Sequence, residues 1–138
     1  MNRIVVRTVF VWLVIILAET LNGIAREVFI TPRLGDVSAR RISFCIALVL
    51  ILAIAYLSAP MFSALTHVGR ILVGVAWAVL TFCFEVFLIA SLAGITTERI
   101  IADYDPRQGG LMAFGMSYLI AAPTLGYLLR RQKAVDQI

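Results

Sequence analysis

Four long apolar runs, separated by short polar stretches, dominate the hydrophobic pattern of this chain. Each is about 17–23 residues long, enough to cross the roughly 30 Å hydrocarbon core of a bilayer as a helix. The pattern predicts spans at about residues 8–25, 42–59, 71–93 and 111–129. Residues 1–138 then form a single all-α membrane domain of four transmembrane helices.

The polar residues inside these runs are spaced at helical intervals. In the first span Glu19, Asn22 and Arg26 share one face, and Trp12 continues it seven residues earlier. In the third span Gly74, Ala78, Thr81 and Glu85 form a stripe of small and polar side chains around a lone carboxylate. Lipid cannot satisfy such groups, so both faces are expected to meet other helices. The fourth span carries Ala113, Ser117 and Ala121 at four-residue spacing, repeated by Ala122 and Gly126, a pattern that favours close packing. Pro123 interrupts that span and predicts a kink. The second span is apolar all round and is expected to be the one facing lipid.

The connections are read in the same way. Thr31 to Arg41 contains Pro32, Gly35 and several charges, and predicts a turn-rich link at headgroup level. It lacks the glycine spacing and lysine of a nucleotide cradle. The stretch after Gly94 predicts a short interfacial helix with Ile100, Ile101 and Tyr104 on its apolar side, opposite Glu98, Arg99 and Asp103. Asp105-Pro106 and Gly109-Gly110 then turn the chain into the fourth span. Beyond Lys133 the tail is expected to be mobile.

The halves also echo one another: Trp12 and Glu19 against Trp77 and Glu85, Pro60 against Pro123. Two spans per half would make this a parallel 2+2 repeat about an axis along the membrane normal.

Composition agrees with a membrane address: 62% of residues are hydrophobic and mean hydropathy is +0.98, far from soluble domains. The net charge of +4 comes from basic residues at the ends of apolar runs, a membrane-flank pattern rather than a nucleic-acid surface. Arg3, Arg7, Arg70, Arg130, Arg131 and Lys133 fall on one side and Arg26, Arg33, Arg40, Arg41, Arg99 and Arg107 on the other. The balance gives the positive-inside rule no preference. It also admits dual insertion and antiparallel dimers. The first run, with Glu19 inside it and no small-residue cleavage site, is read as a retained span.

Chemistry-bearing motifs are sparse. Cys45 and Cys83 form no CxxC pair, and His67 has no ligand-type neighbour in sequence, so neither a metal nor a cofactor is expected. Asp103 and Asp105, with Glu98, could form an interfacial carboxylate site for metal-assisted chemistry on lipid headgroups.

The strings AETLNGIAREVFITPRLGD (Ala18 to Asp36) and GITTERIIADYDPRQGGL (Gly94 to Leu111), with Phe84-Glu85, resemble a family of small four-helix bacterial membrane proteins without an assigned activity. The resemblance implies four spans in a bacterial cytoplasmic (inner) membrane and supplies no mechanism. Ala18-Glu19 is also similar to the proton-coupling site of small multidrug transporters, whose glycine and tryptophan pattern the other spans do not follow.

Three functions follow as expectations. The first is a non-enzymatic accessory, assembly or structural subunit of a larger membrane complex, contacting lipid and either other subunits or copies of itself. An ion- or proton-coupled transporter or channel using Glu19 and Glu85 is the second. The third is a lipid-headgroup enzyme using Glu98, Asp103 and Asp105.

Overall fold

A computed structural model describes residues 2–92, 98, 101, 105, 107 and 110–138. Four helices in it are long and apolar enough to cross a membrane. They are built from α1 (Asn2–Ala25), α3 (Asp36–Ser58), α4 (His67–Leu92) and α5 (Met112–Asp136). A short α2 (Thr31–Leu34) lies between the first two.

The first connection is tighter than its composition predicts. Helix continues from α1 through a π-helical turn, Arg26–Ile30, into α2, and the break falls at Gly35 alone. Pro32 explains the π-turn, because a proline ring collides with the carbonyl four residues back in a regular helix. Widening the preceding turn makes room: the Thr31 N–H bonds to the Arg26 carbonyl, five residues back. Gly35 then adopts φ +80° and ψ 166°, a conformation open essentially to glycine only. The reversal therefore takes one residue.

Each helix packs against two others: α1 on α3 and α4, and α5 on α3 and α4, with α5 making the most extensive contacts. The helices thus occupy a square in which α1 is diagonal to α5 and α3 to α4. This is the arrangement of two hairpins laid side by side. A two-fold axis along the membrane normal would instead place α1 diagonal to α4, and α3 diagonal to α5.

Two glycines set the spacing within this square. A Cβ on Gly74 would strike the backbone of Ile120, with the carbonyl carbon at 2.7 Å; one on Gly126 would strike Ala55, at 2.6 Å from its carbonyl carbon. Backbones of α4 and α5, and of α3 and α5, are therefore in direct contact. The core between them is filled by Trp77, Phe62 and Ile15, each essentially without exposure, together with Val11, Ile51, Val73 and Leu119.

Several expectations are corrected. α3 is not the lipid-facing span: it buries Ala39, Ser43, Ile51, Ala55 and Ser58. When the surrounding solvent is itself apolar, small residues rather than overall polarity decide which face packs. On α5 the buried face is Leu119, Ala122, Pro123 and Gly126, whereas Ser117 is exposed and Ala113 and Ala121 are half-buried. The hydroxyl of Ser117 turns back to the Ala113 carbonyl at 2.9 Å. The C-terminal segment is helical through Asp136.

Candidate functional site: the polar seam of α1 and α4

Trp12, Thr81, Trp77 and Asn22 of the first and third spans make hydrogen bonds across α1, α3 and α4. The Trp12 indole donates to the Thr81 hydroxyl oxygen at 3.1 Å, and the Trp77 indole donates to the Thr8 carbonyl at 3.0 Å. These bonds run in opposite directions between parallel helices, and both join residue n of α1 to residue n+69 of α4. Continued along the helices, that register sets Glu85 level with Ile16. Glu19 lies three residues further, roughly 4.5 Å along the axis at the standard rise. The edge of one ring meets the face of the other between Trp12 and Phe84, with centroids 6.2 Å apart. Trp77 stacks in the same manner on Phe62 at 6.0 Å.

The stripe Glu19, Asn22 and Arg26 does not close into one network. The Asn22 amide donates across to the Ser43 carbonyl of α3 at 3.0 Å. Arg26 pairs with Glu27, at 3.1 Å. One carboxyl oxygen of Glu19, Oε1, is buried without a hydrogen-bond partner, while Asn22 faces the carboxyl from one turn on. An unsatisfied polar atom in an apolar interior is costly enough to mark its residue as a candidate for function. Glu85 is half-buried on α4.

In the segment predicted to be interfacial, Glu98 is exposed. The Asp105 carboxylate accepts the Arg107 N–H at 2.9 Å, and its backbone carbonyl accepts the Gly110 N–H at 3.0 Å. Asp105 thus builds the turn into α5, a common use of this residue type. Arg99, Ile100, Asp103 and Tyr104, and with them most of the predicted interfacial helix, lie outside the described residues. Among the described residues no group of three or more His, Cys, Asp or Glu side chains converges as metal ligands would. Cys45 and Cys83 are both free and exposed.

Sequence reasoning gave the tryptophans no donor role and took Arg70 for a membrane flank. Arg70 is only 8% exposed. Its Nη1 donates to the Leu65 carbonyl at 2.6 Å, its guanidinium lies 3.8 Å from the centre of the Tyr127 ring, and its Nε has no partner. Its place at the start of an apolar span was visible; the depth of its burial required knowing that Tyr127 of α5 returns to the same end.

The concavities between helices open outward. One, of about 380 Å³, lies between α1 and α3 and is lined by residues including Leu21, Asn22, Ile30 and Ile46. Another, of about 400 Å³, lies between α3 and α5 against Val49, Tyr56, Leu57 and Leu129. Comparison with known proteins finds no matching family model, curated protein or solved structure, so the functional reading rests on the residues themselves.

Proposed function

We propose that this protein is an accessory, assembly or structural subunit of a larger membrane complex, in a bacterial cytoplasmic membrane as the family resemblance implies. One observation carries the reading: the centre of the bundle is filled by Trp77, Phe62 and Ile15, while its grooves open on the outside. A bundle of this kind offers a surface to other helices, and in lipid such surfaces associate through close packing and interhelical hydrogen bonds. The test is gentle extraction from native membranes, followed by identification of what co-migrates. A distinct membrane protein at stoichiometric amounts is the expected result, and recovery only as a monomer or homo-oligomer would count against it.

The orphan oxygen of Glu19 favours a second reading, ion- or proton-coupled transport through an oligomer using Glu19 and Glu85. Reconstituted protein whose ion or drug flux is abolished by Glu19→Gln or Glu85→Gln would establish that reading instead. Absence of flux, or flux indifferent to both changes, removes it.

A further inference from the structure

The end of the bundle formed by the start of α1, the end of α3, the start of α4 and the end of α5 holds an unusual set of arginines. Three guanidinium groups hang on backbone carbonyls of one short stretch, Tyr56 to Leu65. Arg130 donates to the Tyr56 carbonyl at 3.3 Å and lies 5.4 Å from the Tyr56 ring centre. Arg7 donates to the Met61 carbonyl at 3.1 Å. Arg70 donates to Leu65 and stacks on Tyr127.

Among the described residues none of the three has a carboxylate partner; the ion pairs there, Arg26 with Glu27 and Arg40 with Asp36, are at the opposite end. Charge divides the same way. Among the described residues the arginine end carries Arg3, Arg7, Arg70, Arg130, Arg131 and Lys133 against Asp136 alone, whereas the other end sets Arg26, Arg33, Arg40, Arg41 and Arg107 against Glu27, Asp36, Glu98 and Asp105.

A guanidinium has five N–H donors in a planar fork suited to phosphate oxygens. Here one donor of each arginine is spent on a carbonyl, which fixes the group and leaves the rest unused. Arg70 is more than nine-tenths buried, with Nε unsatisfied, so its positive charge is held inside this end of the bundle without a counter-ion among the described residues. Arg7 and Arg130 are both exposed, at the same end of helices long and apolar enough to cross a membrane. Basic clusters between transmembrane helices are suited to anionic lipid headgroups.

We infer that Arg7, Arg70 and Arg130 form a binding site for a phosphate group, as carried by an anionic phospholipid or by free phosphate. The site is independent of whether the protein serves a larger complex.

The test measures the thermal unfolding midpoint of the full-length protein in neutral detergent with added phosphatidylglycerol, phosphatidylcholine or inorganic phosphate. Phosphatidylglycerol is expected to raise the midpoint by several degrees more than phosphatidylcholine. The double variant Arg7→Gln/Arg130→Gln should lose most of that difference. Arg33→Gln/Arg41→Gln, which removes the same charge from the opposite end, should retain it. Because each comparison is made between lipids within one variant, a change in basal stability does not enter. Stabilisation by inorganic phosphate at millimolar concentration would assign the site to phosphate from either source, and stabilisation by the lipid alone to a headgroup. Equal effects of the two lipids, or equal losses in both double variants, would overturn the inference.

Discussion

Trp77 shows how a single side chain joins two parts of this molecule: its ring fills the core against Phe62, and its N–H reaches the Thr8 carbonyl. The two roles are separable. Trp77→Phe keeps most of the volume and removes the donor, which should cost about 0.5–1.5 kcal/mol, a typical net value for one hydrogen bond. Trp77→Ala opens a cavity as well and should cost about 3–5 kcal/mol. Reversible unfolding in mixed micelles would distinguish them; equal losses would mean that the hydrogen bond dominates. The glycines at the helix contacts are as specific. Gly126→Ala drives a methyl into the Ala55 backbone, which cannot rotate away, and should destabilise by about 1–3 kcal/mol, as overpacking does. Gly23→Ala, where the added Cβ meets nothing within 4 Å, is the matched control and should be neutral or better, since alanine favours helix.

That the chain forms four helices long and apolar enough to cross a membrane was readable from the apolar runs, because length and hydropathy decide which helices can cross. Their ends were less readable. Asn2 to Arg7 and Arg130 to Asp136 are helical although polar residues interrupt them, since a helix satisfies its own backbone on either side of the interface. Pro32 and Gly35 were both read as loop, yet only Gly35 breaks the chain; a π-turn absorbs the proline. That difference depends on backbone geometry, which composition does not carry. It makes Gly35→Ala a sharp test: alanine is strained at φ +80° and should cost about 1–3 kcal/mol. Pro32→Ala, by contrast, should leave stability nearly unchanged or raise it. If the two substitutions were equivalent in an unfolding assay, the one-residue reversal described above would be wrong.

At the scale of the whole molecule, the side-by-side hairpins follow from contacts that no single span reveals. The small residues of α5 lie on more than one ridge, and only the position of Ala55 and Ile120 shows that Gly126 and Gly74 are the ones used. Likewise Glu19, Asn22 and Arg26 share a face in sequence, but Asn22 bonds to α3 and Arg26 to its neighbour Glu27. What results is a filled bundle whose remaining grooves face outward, and the proposal of a subunit role depends on something occupying that exterior. Site-specific photo-crosslinking in native membranes addresses this directly. Probes would replace Leu21 and Ile46 in the groove between α1 and α3, and Val49 and Leu57 in the groove between α3 and α5. The account predicts adducts with one distinct membrane protein from at least one groove, at positions that cluster on that face. Adducts with lipid alone at all four positions, or only with copies of this chain, would contradict it.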